Sequence, residues 1–297
     1  MCLYRAIQSL QSCRVRSDSG SAFSACGVGL RAVPACSACG ASSGAIQGYV
    51  VKRTTTAKRQ PFLVDYKNKG RAHTKSKMAS RTSYDARLRH PGSKILVSGA
   101  SGSGKTKLFT DMVLNHEKIF TNPFKNVIVF YREDQPEYDR LRQHCPVPIQ
   151  FIKGEPEETL DAVEGTMLIF DDMQSMFENT TIGTIFQVKC RHRGWSCMMI
   201  QHLIFSKSRT SRLITLNCTA IIVFQQRHDK ITLSRLSTQL EGVGMARLLP
   251  SIYKELSQEG NNHFYLLIDL DIECPESFKY RNSVFPQHGK TIVFLAG

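Results

Sequence analysis

The stretch KILVSGASGSGKTKLF, residues 94–109, restricts this chain more than any other. An apolar run ends in Gly99-Ala100-Ser101-Gly102-Ser103-Gly104-Lys105-Thr106, a complete G-x-x-x-x-G-K-[ST] pattern, and a helix-forming segment follows. A strand, a glycine-rich turn and a helix N-terminus in that order aim successive backbone N–H groups at one point, which suits phosphate oxygens. In such a loop Lys105 reaches the β- and γ-phosphates and the Thr106 hydroxyl ligates Mg²⁺, so the expected cofactors are ATP and Mg²⁺. The bland alternative is a Gly/Ser turn closing a strand–helix junction with no ligand. A full motif in the right context argues against it.

Beyond residue 92 short apolar runs alternate with helical patterns. Strands are expected over 94–98, 126–131, 149–153, 166–171, 196–201, 219–224 and 264–270. Most are unbroken apolar runs, as in strands buried on both faces of a parallel sheet. Helices are expected over 104–118, 135–144, 173–189, 205–217 and 228–258, the last with a break near Gly242–Gly244. This alternation predicts an α/β doubly wound domain.

Two further elements carry chemistry. MLIFDDM, Met167 to Met173, runs a buried strand into Asp171 and Asp172. Carboxylates at the C-terminal end of such a strand lie where α/β proteins place ligands. Asp171 fits the Mg²⁺-holding carboxylate and Asp172 a group that orients or polarises water. Two adjacent carboxylates repel unless a cation lies beside them. An N-cap aspartate for the next helix is the competing reading. SCMMIQ ends in Gln201, an amide suited to touch the γ-phosphate or the attacking water, although a Gln after a strand is ordinary loop chemistry. Upstream, Arg191, His192 and Arg193 suit DNA contact, a trans-acting arginine at a neighbour's nucleotide, or a solvated helix end. The lone Trp195 reads as core, and His202 and His228 show no metal-ligand spacing.

Charge divides the chain. Residues 1–90 hold 16 Lys and Arg against 3 acids, and the other 207 residues hold 23 against 22. The net +14 is therefore almost wholly N-terminal. Rich in Ser, Ala, Gly and basic residues without a regular period, 1–90 reads as a mobile basic extension and 91–297 as the P-loop domain. Cys36 and Cys39 have zinc-ligand spacing but lack a second matching pair. The five body cysteines sit among apolar neighbours and read as reduced, buried thiols. No apolar run reaches the roughly 18 residues of a membrane span, and no apolar core of a secretory signal stands at the front.

Residues ~92–288 resemble the viral DNA-packaging ATPases of the FtsK–HerA superfamily, in the poxvirus-type branch also found in giant viruses, adintoviruses and Polinton (Maverick) elements. The resemblance lies in an ordered series: GASGSGKT, MLIFDDM, CRHRGWSCMMIQHLIF, LNCTAIIVFQQRHDK and FYLLIDLDIECPESFKYRNSVFP. It implies a RecA-like core in which an extra strand separates the phosphate-loop strand from the Asp-Asp strand. By that resemblance Lys105 and Thr106 serve the nucleotide and Mg²⁺, Asp171 the metal, Asp172 is the catalytic acid, and Gln201 the sensor. Arg191 and His192 match a Gly-Arg-His turn whose glycine is here Cys190, and His228 stands where a basic residue precedes Asp229. The family implies ATP hydrolysis, movement of double-stranded DNA into a capsid, and a closed ring of about five or six subunits. Capsid or portal-vertex proteins become partners, and the virion-assembly site or the host nucleus or cytoplasm the location. Rival readings are a small-molecule kinase, a helicase of the same superfamily, and a non-catalytic nucleic-acid binder acting through its basic tail.

Overall fold

The structure, a computed structural model, describes residues 48–54, 85–173, 180–205, 209–225, 230–258, 263–284 and 290–296. Its strands are β1 (Gly48–Thr54), β2 (Lys94–Ser98), β3 (Asn126–Tyr131), β4 (Ile149–Lys153), β5 (Thr166–Asp171), β6 (Ser196–Gln201), β7 (Ala220–Phe224), β8 (Tyr265–Asp269), β9 (Tyr280–Arg281) and β10 (Lys290–Ala296). They form one sheet in the order β1-β10-β9-β8-β7-β2-β6-β5-β3-β4. From β7 to β4 every pairing is parallel, while β8, β9 and β10 join antiparallel. All seven strands expected from the apolar runs are present, and β6 lies between the phosphate-loop strand β2 and the carboxylate strand β5. This is a RecA-like P-loop NTPase fold.

Alternate residues of each central strand enter different cores. Leu96, Met199, Leu168, Ile128 and Ile221 face one way, with Trp195, and pack beneath α4 (Thr180–Thr184), α5 (Cys190–His192), α6 (Arg209–Asn217), α7 (Lys230–Glu241) and α8 (Leu248–Ser257). Ile95, Val97, Met198, Ile169 and Val129 face the other way, toward α1 (Lys105–Leu114), α2 (His116–Ile119) and α3 (Pro136–His144). On α1 the buried side chains Lys105, Leu108, Phe109, Met112 and Val113 recur at helical spacing and fix its inner face. Covering helices on both faces explain why the strands are apolar throughout rather than alternating.

The structure departs from the sequence reading in several places. The helix expected over 104–118 breaks at Asn115, whose side-chain amide donates to the Asp111 carbonyl (3.0 Å). Of the helix expected over 173–189, residues 174–179 lie outside the described residues, and the rest, from Thr180, passes through a π-helical turn, Ile185–Lys189. Residues 48–54, assigned to the basic extension, form β1 and pair in parallel with all of β10. YVVK is too short an apolar run among lysines and arginines to stand out in sequence. Residues 85–90 also belong to the packed structure, where Leu88 is buried and its N–H donates to the Ile119 carbonyl (2.7 Å). Last, Cys190 and Cys197, expected as reduced thiols, are paired in a disulfide across the turn at Gly194, while Cys145 and Cys218 are free. The Cys36–Cys39 pair and residues 226–229, with His228 and Asp229, lie outside the described residues. No helix among the described residues is long and apolar enough to cross a membrane.

Candidate nucleotide site

The turn from β2 into α1 is built on glycine geometry. Gly102 and Gly104 hold φ of 72° and 101°, left-handed values that a Cβ disfavours. At Gly99 the obstacle is space: a Cβ there would lie 2.5 Å from the Phe224 Cβ on β7. The loop curls over the Lys105 side chain, whose ammonium donates to the carbonyls of Gly99 (2.8 Å) and Ala100 (2.9 Å). Burial pulls the Lys105 pKa down, and the carboxylates of Asp171 and Asp172 oppose that pull.

Parallel pairing brings the ends of β2, β6 and β5 to one edge. Gly99 N–H donates to the Gln201 carbonyl and Asp172 N–H to the Ile200 carbonyl, both at 3.2 Å. Gln201 thus stands between the loop and the two aspartates. Its side chain is 1% exposed, and its Oε1 has no hydrogen-bond partner among the described residues. Asp171 is buried, which raises its pKa; the Tyr138 hydroxyl donating to Oδ2 (2.7 Å) works against that rise. Tyr138 in turn is held well above the usual phenol range, first by burial and then by the Asp171 charge. Asp172 has φ 54°, the one non-glycine left-handed residue among those described. Its carboxylate lies 3.3 Å from His202 Nε2.

These groups line a cavity of about 200 Å³ that opens between the loop and the aspartates. Lys105, Thr106, Asp171, Asp172 and Gln201, predicted separately along the chain, all lie on it, with Ser101 and Gly102. The donor set fits Mg²⁺: a hydroxyl and two carboxylates, all hard oxygen ligands. The buried amide oxygen and the ammonium held on carbonyls fit a triphosphate and a water.

Arg191 is not brought there. It is exposed on α5, ahead of β6, whose first residues pair with Lys94 at the start of β2. Its charge acts on Lys94 at that edge. From Lys94 to Ser98, where the loop begins, is roughly 13 Å of strand. Cys190 is right-handed helical (φ −54°, ψ −48°), so the position needs no glycine; Gly194, φ 63°, makes the turn instead.

Three site residues escaped the sequence reading. His202 was weighed only for metal spacing, yet it lies between Asp172 and Lys105, with Nδ1 3.5 Å from the ammonium. Gln135 and Tyr138 belong to the start of α3. Gln-Pro is a legible helix-start signal, but nothing in it says that the side chains turn toward Asp171. Gln135 receives the Thr106 hydroxyl at Oε1 (2.8 Å) and donates from Nε2 to Asp171 Oδ2 (3.2 Å).

No protein-family profile and no curated protein sequence matches this chain. Among solved structures it is similar to the genome packaging NTPase B204 from Sulfolobus turreted icosahedral virus 2. The sulfate complex is 14% identical, covering 61% of this chain and 93% of that one, with a TM-score of 0.42. The ATP-gammaS complex is 15% identical over the same shares, with a TM-score of 0.40. A KaiC-like protein, PH0186 from Pyrococcus horikoshii OT3, is 13% identical over 68% of this chain and 90% of its own, with a TM-score of 0.36.

Proposed function

We propose that this chain is an ATP-hydrolysing motor that moves double-stranded DNA, and that its work is to package a viral or virus-like genome into a capsid. One observation carries the reading: Lys105, Thr106, Asp171, Asp172 and Gln201 meet on one cavity, with β6 inserted between the loop strand and the carboxylate strand. Mg²⁺, when bound, would offset the negative charge of the phosphates, and Thr106 and Asp171 would hold it. The Lys105 ammonium would move from its two carbonyls onto phosphate. The Asp172 carboxylate and the Gln201 amide oxygen accept the two hydrogens of a water, which turns its lone pair toward the γ-phosphorus. As the new P–O bond forms and the bond to the β-phosphate oxygen breaks, Asp172 takes the proton and ADP leaves.

The chain acts as a closed ring of about five or six copies, built by head-to-tail contacts. Arg191, on the edge away from its own cavity, serves a neighbour's nucleotide. The body is near neutral, so DNA is held by a few loop residues multiplied by the ring and by the basic residues of 1–90. Capsid or portal-vertex proteins are the protein partners, at the virion-assembly site or in the host nucleus or cytoplasm.

The test is phosphate release by the purified chain from Mg·ATP with no other acceptor, with and without duplex DNA. Lys105→Ala and Asp172→Asn each lower the rate by about 100-fold or more. A wild-type protein that releases no phosphate even with DNA present refutes the enzyme reading. Strand displacement on a fork without movement along intact duplex turns the assignment to a helicase.

A further inference from the structure

In the candidate site Thr106 does not touch Asp171. Gln135 stands between them, receiving the Thr106 hydroxyl proton at Oε1 (2.8 Å) and donating from Nε2 to Asp171 Oδ2 (3.2 Å). The Tyr138 hydroxyl donates to that same oxygen at 2.7 Å. Each link has a chemical consequence. A threonine whose proton is committed to an amide oxygen keeps its lone pairs for a cation. A carboxylate with two donors on Oδ2 keeps Oδ1 clear of both. Gln135 stands at the N-cap of α3 and Tyr138 in its first turn.

That turn is held from several sides. Pro136 fixes the first helical position. Arg142 pairs with Asp134 and Asp139, each at 2.7 Å, and its guanidinium lies 4.7 Å from the centre of the Phe151 ring. Arg140 reaches Asp111 on α1 at 2.7 Å, and Tyr138 is wholly buried with Phe109 of α1 at its side. The helix that opens the phosphate loop and the strand that ends in Asp171 are therefore linked through α3.

We propose that Gln135, supported by Tyr138, is the positioning residue of the Mg²⁺ site, holding the Thr106 hydroxyl and the Asp171 carboxylate at the spacing and orientation that one divalent cation needs. Neither residue contacts the metal; they act through its ligands. This rests on the nucleotide-site reading given above. Partners of this kind around metal ligands typically control 10- to 100-fold in metal affinity.

The experiment titrates Mg²⁺ against a fluorescent, non-hydrolysable ATP analogue bound to the full chain, with parallel nucleotide titrations in EDTA. Gln135→Leu keeps the side chain's size and removes both hydrogen bonds; Tyr138→Phe removes one. Gln135→Leu raises the Mg²⁺ concentration for half-maximal tightening of nucleotide binding by about tenfold or more. Tyr138→Phe raises it by a smaller factor, and binding in EDTA stays within about twofold of wild type for both. A Mg²⁺ requirement unchanged in Gln135→Leu overturns the proposal. So does equal weakening with and without Mg²⁺, which marks a merely structural role. Should Gln135→Leu not fold, Tyr138→Phe decides alone by the same two readouts. Failure of the wild type to bind the analogue at all refutes the nucleotide site itself, and is thereby distinguishable.

Discussion

Replacing Arg281 by methionine isolates a charge in the interior. Arg281 and Asp269 are 3% and 4% exposed, and they form an ion pair between β9 and β8 through Arg281 Nη2 and Asp269 Oδ2. The other terminal nitrogen of Arg281 donates to the Ala86 carbonyl, tying the segment ahead of β2 to the sheet. Methionine fills much of the arginine stem's volume but leaves the Asp269 carboxylate without a charged partner, held by the Asp271 N–H at 3.2 Å and the Cys274 thiol. Breaking a buried pair on one side costs about 3–5 kcal/mol. At roughly 2–4 °C per kcal/mol for a domain of this size, the melting temperature falls by about 6–20 °C. The sign of the pH effect follows from Asp269. Burial already raises its pKa, with Arg281 the main opposing influence, so removing Arg281 raises it further. An acid with a raised folded-state pKa binds more protons folded than unfolded, so the stability deficit shrinks as pH falls toward the carboxylate range and is complete at neutral pH. Adding Asp269→Asn to Arg281→Met removes the buried charge and restores at least half of the loss at pH 7. Thermal melts of the three variants at pH 7 and pH 5 check this. An Arg281→Met protein melting within about 2 °C of wild type at pH 7, or a deficit that grows on acidification, refutes the reasoning.

Three other perturbations separate space, protonation and placement. Gly99→Ala sets a Cβ 2.5 Å from that of Phe224 and costs about 1–3 kcal/mol by overpacking, with weaker nucleotide binding. Gly102→Ala meets nothing within 4 Å and carries only left-handed strain; melts and nucleotide titrations rank the two, and equal loss removes the steric argument. His90 is 2% exposed, donates or accepts at Nδ1 with Ser196 Oγ (2.8 Å), and is pushed by burial down to about 4. Because the unfolded chain takes up that proton near 6.5, this stability is present above pH 6.5 and lost as pH falls toward 4, up to about 3 kcal/mol. Urea midpoints in wild type fall more steeply over that window than in His90→Gln; equal slopes refute it. Arg191→Ala leaves nucleotide binding by dilute, unassembled protein within about twofold of wild type but lowers DNA-stimulated phosphate release by about 10³-fold or more, the scale of a trans-acting arginine. A binding defect in isolated subunits contradicts that placement.

Most of the seven expected strands were legible because they are runs of apolar residues with both faces buried, while β4, IQFIK, is only partly buried. β1 and β10 were not: β1 is a short apolar run inside a basic stretch, and its partner lies far away in sequence. Lys105, Thr106 and Asp171 were legible because phosphate and Mg²⁺ chemistry demands those residue types at the ends of strands. Asp172 was legible as a carboxylate, but its left-handed backbone was not. Gln135 and Tyr138 were hidden for a different reason. Their work depends on how α3 packs against α1 and β5, a long-range matter to which the local sequence contributes only a helix start.

Local economy fails repeatedly around this cavity, and this argues for a ligand independently of the loop motif. Asp172 holds a left-handed conformation that costs an ordinary residue about 1–2 kcal/mol. Gln201 buries an amide oxygen without a partner among the described residues, at about 1–3 kcal/mol. Lys105 keeps a buried ammonium on two backbone carbonyls, and the Ser103 hydroxyl is buried with no partner among the described residues. Folding alone gives no reason to retain these arrangements, since an asparagine or glycine at 172 or a leucine at 201 would relieve them. They share a direction: a cation, an acceptor for a hydrogen and two carboxylates turned toward the same 200 Å³. A bound polyanion with its metal and one ordered water offsets each cost at once, whereas a purely structural role offsets none.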